Sequence, residues 1–289
     1  MSFAARQLTL TFTLGQGTFG TTGKNSVKLS TLRASAKITK AGGPSMGTAV
    51  VDVYGMSLSQ MNQLSTLGFM PTLIRRNTLM IAAGDVGDTP ATVFIGTITN
   101  AWFDGTSGPD VLFRVEAHTG LIESVSMMPP SSYSGPATAS VIMSSLATQM
   151  GLTFENGGVT AVLASPYFWG SPRQQAQACA LAGNFEWVID NGVLAIWPKG
   201  QSRNKQAPLI APPALQGYPQ FTSKGISVVT LFNPAVGYGA PINVQSQLPA
   251  ACGTWVVYSL DHDLESRVPH GRWSSTIGAA RPGLGPVIQ

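Results

Sequence analysis

A mainly β fold, α+β overall, is predicted by three features of this 289-residue sequence. Short stretches of alternating apolar and polar residues recur along it, the pattern of half-buried strands. The sequence holds 32 Gly and 20 Pro, enough turn residues to separate many such strands. Helical spacing is confined to a few short segments. The expected arrangement is two similar β units flanking a small α/β middle part, with boundaries at 1–120, 121–200, 201–220 (a proline-rich connector) and 221–289.

Residues 7–14 (QLTLTFTL) put Leu8, Leu10, Phe12 and Leu14 on one face and Thr9, Thr11 and Thr13 on the other, as a strand does. The glycine-rich 15–23 is read as a loop, 27–38 as a returning extended stretch, and 48–54 (TAVVDVY) as a further strand. Ser57 stands where an N-cap would, its hydroxyl able to accept from a free first-turn N–H. Leu58, Met61, Leu64 and Leu67 follow at helical spacing, with Gly68 as the stop. Next come a strand at 78–83 and a hairpin of 93–103 with 111–117 around DGTSGPD.

The middle part begins after a linker-like break at 127–132 (MMPPSS). Residues 139–150 read as a helix ended by Gly151. Ser171-Pro172 opens another, Pro172 being tolerated at the first helical position because its missing N–H would have no helical partner; it closes at Gly183. Residues 185–197 (FEWVIDNGVLAIW) form a hairpin, because Asn191-Gly192 suits a type I′ turn. Trp187 and Trp197 on it are assigned to cross-strand core packing rather than to a ligand platform. Residues 199–217 are polar, then proline-rich, without periodicity. Four short strands follow at 226–232, 242–246, 254–260 and 273–277, with a tail RPGLGPVIQ.

Composition narrows the function. Hydrophobic residues make up 44%, ample for a core and incompatible with a disordered chain. Charged residues are only 10%, against about 25% in a typical soluble domain, so much of the surface is expected to be covered by neighbours. The net charge of +4 is too mild to imply nucleic-acid binding. Arg6, Lys24, Lys28, Arg33, Lys37 and Lys40 all precede the first acid, Asp52, and are read as decorating a solvated hairpin. Cys179 and Cys252 match no metal or redox spacing and are expected to be free thiols. MSFAARQL does not resemble a signal peptide, and no run reaches the roughly 18–20 apolar residues of a membrane span, so synthesis in the cytoplasm without a membrane anchor is expected.

The segment richest in chemistry is 253–279, with Asp261, His262, Asp263, Glu265 and His270. It could ligate a metal or serve a metal-dependent cell-wall hydrolase. Against this, neighbours on a strand alternate faces, so Asp261 and Asp263 would point away from His262. An internal echo points the same way. Laid without a gap over 92–117, the segment 254–279 places Ile98 on Leu260, Val111 on Trp273, Val115 on Ile277 and Ala117 on Ala279. One strand earlier, Met80 and Ala82 fall on Ile242 and Val244. The His/Asp cluster then lies on 99–108, which has no histidine, and reads as the polar tip of a second copy of one hairpin. GQGTFG meets a nucleotide-loop pattern but lies between strands, where no helix start aims N–H groups at phosphate. His118 is a strand-end histidine. No nucleophile elbow, Walker sequence or HExxH is present. The expectation is no enzyme, no catalytic, metal or cofactor-binding residue, and no cofactor.

With these parts in place, the sequence resembles the baseplate hub proteins of contractile-tailed bacteriophages. The matching stretches are TAVVDVYGMSLSQMNQLS, VFIGTITNAWFD, FEWVIDNGVLAIWPKG, GISVVTLFNPAVGYGAPINVQS and GTWVVYSLDHDLESRVPHGRWSSTI. The resemblance implies two tail-tube-like β-barrel or sandwich domains per chain and a homotrimer forming a pseudo-six-fold ring. It further implies a place in the virion baseplate between a hexameric tail tube and a trimeric central spike, among other baseplate proteins. DNA or tape-measure protein would cross the ring's channel without sequence-specific binding. The spike-base protein of a contractile secretion machine shares this architecture and stays open as an alternative.

Overall fold

The computed structural model describes residues 5–20, 23–66, 76–106 and 111–283. Strands hold 47% of the residues and helices 15%, so the chain is mainly β as expected. It divides into two compact units, one of residues 1–39, 48–119 and 262–274, the other of 40–47, 120–261 and 275–289.

The first unit contains β1 (Arg6–Thr13), β2 (Ser26–Leu29), β3 (Ala34–Lys40), β4 (Thr48–Tyr54), α1 (Leu58–Leu64), β5 (Thr78–Asp85), β6 (Ala91–Asp104) and β7 (Leu112–His118). The strand order is β3-β4-β7-β6-β5-β1-β2, and each neighbouring pair is antiparallel. Alternation places Leu8, Leu10 and Phe12 of β1, Val51 and Val53 of β4, and Phe113, Val115 and Ala117 of β7 in the core. The stretch expected as one strand over 27–38 is two, because β2 pairs with β1 and β3 with β4. Ser57 caps α1, its Oγ accepting from the Gln60 N–H at 3.4 Å, and Met61 and Leu64 face inward. The backbone turns extended at Ser65, ahead of the predicted stop. Leu67 and Gly68 lie outside the described residues, as do parts of the 15–23 loop, the DGTSGPD tip and the C-terminal tail.

The second unit opens with α2 (Leu121–Val125), β8 (Ser131–Ser132), β9 (Pro136–Thr138), α3 (Ala139–Met150), β10 (Thr153–Asn156), β11 (Val162–Ala164), β12 (Tyr167–Phe168), α4 (Pro172–Gly183), β13 (Phe185–Asp190) and β14 (Val193–Pro198). Helices α3 and α4 coincide with the predicted spans. Gly151 ends α3 in the left-handed conformation, and Ser171 with Gln174 forms a capping box at α4. Both helices pack on the sheet β10-β14-β13 through Ile142, Met143, Leu146, Ala176, Leu194 and Ile196. The hairpin turns at Asn191 and Gly192, both at positive φ. Trp187 is opposite Ile196 and Trp197 opposite Glu186, so the two indoles occupy opposite faces and pack into different clusters rather than on each other.

The unit continues with β15 (Leu209–Ile210), β16 (Leu215–Thr222), β17 (Gly225–Leu231), β18 (Pro241–Val244), β19 (Gly253–Ser266) and β20 (Trp273–Ala280). Across 199–217, which shows no periodicity in sequence, β15 pairs in parallel with β18, and β16, starting at Leu215, pairs antiparallel with β17. Gly217, Pro219 and a register irregularity between Gln216 and Gln220 break the two-residue period in β16. The strand order is β16-β17-β20-β19-β18-β15, with the distal residues of β19 and β20 grouped in the first unit.

One topology therefore occurs twice. The order β3-β4-β7-β6-β5 is repeated as β16-β17-β20-β19-β18. The gap-free overlay carries Ala91 onto Gly253 and Asp104 onto Ser266, so β6 and β19, 14 residues each, start and stop at equivalent positions.

Candidate functional site

The hairpin of β19 and β20 holds the residues singled out for chemistry. Strand β19 does not stop at Leu260 as expected but runs to Ser266, so Asp261–Glu265 are strand residues and the tip lies at 267–272. Leu260, His262, Leu264 and Ser266 are buried, while Asp261, Asp263 and Glu265 are half-buried between them, as alternation requires. The side chain of Arg272 donates from Nη1 to Asp263 Oδ2 at 2.7 Å. Its backbone N–H donates to Glu265 Oε2 at 2.8 Å, and Glu265 N–H returns a bond to Arg272 O at 2.7 Å. The Asp263 bond and charge, with the Glu265 charge behind them, hold the Arg272 guanidinium pKa up. Arg267 and His270 take left-handed φ to close the turn, and His270 is exposed. Two of the acids thus close the hairpin around an arginine, and His262 points to the other face. Among the described residues no three His, Cys, Asp or Glu side chains are placed to hold a metal ion.

The remaining candidates also have structural places. The 15–20 loop links β1 to β2; Leu14 N–H donates to Asn25 O and Phe19 N–H to Lys24 O, each at 2.8 Å, and Phe19 is buried. His118 ends β7, opposite Thr48 and Thr97. Cys179 faces the core from α4, where burial pushes its thiol pKa up to about 12; Cys252 is half-buried and donates to Ser246 O at 3.3 Å. Lys24, Lys28, Arg33 and Lys37 are exposed, as a solvated hairpin requires, and Arg33 stacks over Tyr54 at 4.4 Å.

Lys40 departs from that reading. It is buried, and its ammonium donates to Asp190 Oδ1 and, at 3.1 Å, to Asn191 Oδ1. Arg203 Nη1 lies 3.8 Å from the other oxygen of Asp190 and grips Glu155 with two bonds of 3.0 and 2.7 Å. Desolvation lowers the Lys40 pKa, opposed by Asp190. Nothing local in the sequence joins residues 150 apart, so this network was invisible there. The same holds for Gln175, fully buried, whose amide accepts from Ser131 N and Oγ and donates to Pro129 O and Gly170 O, tying down the 127–132 break. A cavity of about 320 Å³ in the second unit is walled by Trp187, Trp197, Tyr238 and Tyr258. At its rim Glu186 accepts from Trp197 Nε1 at 2.8 Å, and burial raises the Glu186 pKa.

The geometry is that of a duplicated β scaffold. The same fold occurs in the 43 kDa tail protein of prophage MuSo2 from Shewanella oneidensis, at 10% identity and TM-score 0.58, covering 96% of this chain and 99% of that one. The tail protein of Neisseria meningitidis MC58 is similar at 9% identity and TM-score 0.60, over 96% and 98% of the two chains. So is the E. coli c3393 protein, a type VI secretion component with structural similarity to bacteriophage T4 tail proteins gp27 and gp5, at 11% identity and TM-score 0.57 over 88% and 77%. No curated protein sequence matches. The class these observations define is a fold shared by phage tail proteins and a type VI secretion component. The chain belongs to the baseplate hub gp41 family, whose model matches residues 8–273.

Proposed function

We propose that three copies of this chain form a ring of six similar β units in the phage baseplate, joining a hexameric tail tube to a trimeric spike and enclosing the channel crossed at DNA ejection. The observation that carries the reading is the doubled strand order, β3-β4-β7-β6-β5 and β16-β17-β20-β19-β18. Two equivalent units per chain let a three-fold assembly match six-fold and three-fold partners at once. The domain limits expected from the sequence, 1–120 and 221–289 for the tube-like units, 121–200 for the α/β insertion and 201–220 for the connector, go with it once the second unit is extended back to Leu215, where β16 begins. The low charge suits a subunit covered on several sides. On this reading the protein is assembled in the host cytoplasm, ends in the virion, and has no catalytic role; the Asp263–Arg272–Glu265 arrangement supports a structural rather than a hydrolytic hairpin.

The likeness to a type VI secretion component favours one further reading, a spike-base protein of a contractile secretion machine. Quantitative mass spectrometry of purified tails tests the first. Three copies per six copies of each tube-ring layer are expected; a stoichiometry of six, or the protein's absence from tails, would refute it.

A further inference from the structure

Lys40 is the buried lysine among the described residues; the others are exposed. Its Nζ has two oxygen partners, the Asp190 carboxylate and, at 3.1 Å, the side-chain carbonyl of Asn191. Asp190 is the last residue of β13, and Asn191 opens the turn to β14 with φ +51°. Alternation along the hairpin puts Val188 and its partner Ala195, both buried, on the same face as Asp190. The Lys40 and Asp190 side chains are 6% and 10% exposed. An amine is thus held within hydrogen-bond reach of both a carboxamide and a carboxylate, in a place that water scarcely reaches.

Amide exchange needs these same groups: a neutral amine beside a carboxamide carbon, and an acid–base group to move the protons. Burial favours the neutral amine and the Arg203 cation adds to that, against the pull of Asp190. Arg203 Nη1 lies 3.8 Å from Asp190 Oδ2 and is itself held by Glu155, which steadies the carboxylate. Folding brings together residues 151 apart, so the reactants meet without a diffusional encounter.

We propose that Lys40 and Asn191 join in an intramolecular isopeptide bond, Nζ to Cγ, with Asp190 as the proton carrier. Asp190 takes a proton from the Lys40 ammonium, and the freed lone pair attacks Asn191 Cγ. Asp190 then passes protons from Nζ to the departing Nδ2. The Nζ–Cγ bond forms, the Cγ–Nδ2 bond breaks, one ammonium ion leaves and the Asp190 carboxylate is regenerated; no oxidant or cofactor is required. Freshly folded chain holds the ion pair, and the amide accumulates from it on standing. The product ties the end of β3 to the β13–β14 turn by a link that neither denaturant nor reductant breaks. It goes beyond the hub reading and does not depend on it.

Intact-mass measurement and tryptic mapping of the purified protein, followed over time under native conditions, test this. A mass one ammonia below that of the sequence is expected, with a branched peptide joining Lys40 to Asn191 and no such peptide from protein kept unfolded in urea. Lys40→Arg should keep the full mass. Asp190→Asn should slow the reaction about a hundredfold or more, as loss of a positioned acid–base group does. Full mass and no branched peptide in the folded parent would overturn the proposal. So would the same ammonia loss in Lys40→Arg, which would assign it to a succinimide closed by the Gly192 nitrogen on Asn191. Formation at the parent's rate in Asp190→Asn would overturn the role given to Asp190.

Discussion

Replacing Asp190 by Ala isolates the most costly electrostatic arrangement in the second unit. The Lys40 and Asp190 side chains are 6% and 10% exposed, so the lysine is held charged by its partner rather than by water. Removing one member of such a buried pair costs about 3–5 kcal/mol, because the other charge is left unpaired. Asn191 Oδ1 would still accept from Lys40 at 3.1 Å, and Glu155 would still hold Arg203, which moves the expectation to about 3 kcal/mol, the low end of that range. Urea denaturation followed by tryptophan emission reads the effect, since Trp187 and Trp197 lie in the same unit. The double variant Lys40→Met/Asp190→Ala removes the stranded charge and should recover most of the loss. Sign gives a further check. A lysine whose folded pKa is depressed loses its proton earlier in the folded than in the unfolded chain, so the deficit of Asp190→Ala shrinks as pH rises from 7 towards 10. A single-variant loss under about 1 kcal/mol, or no recovery in the double variant, would refute the reasoning.

Three other outcomes are expected. Glu186 has a raised carboxyl pKa, so its stabilising contribution is complete below about 4.5 and is lost as pH rises through the folded value; Glu186→Gln, which can still accept from Trp197, should gain stability relative to the parent between pH 4 and 7 in thermal melts. Equal curves at all pH values would contradict that. Under native conditions at pH 8, thiol alkylation should spare Cys179 and modify it only after unfolding, as peptide mass mapping would show. Gly225 has φ +146°, and a methyl there would meet the Ala279 carbonyl and the Ala280 Cα; Gly225→Ala should cost about 3 kcal/mol by strain and overpacking, seen as a lower urea midpoint.

Much of the fold could be read from the sequence where local chemistry decides structure. Helices α3 and α4 and the Asn191-Gly192 turn have caps and periodicity within a few residues, and their limits match. The hairpin echo was legible because apolar alternation keeps its register over both copies. Strand β16 was not, since Gly217, Pro219 and a bulge break the period and only its partner β17 defines it. The polar extension of β19 resembles a turn in sequence, since only the alternate burial of Asp261 to Glu265 marks them as strand residues. Lys40 illustrates the general limit. A lysine on a basic N-terminal stretch looks solvated, and only the arrival of Asp190 from 150 residues away makes burial affordable.

The central claim is that the doubled β unit builds a six-lobed ring from three chains. Electron cryo-microscopy of intact tails, reconstructed with three-fold symmetry at the junction of tube and spike, tests it most directly. The account predicts six similar β lobes around the axis, alternating between the first and second copies of the strand order. A hub layer in which this chain supplies one lobe per copy, or lies away from the axis, would contradict it.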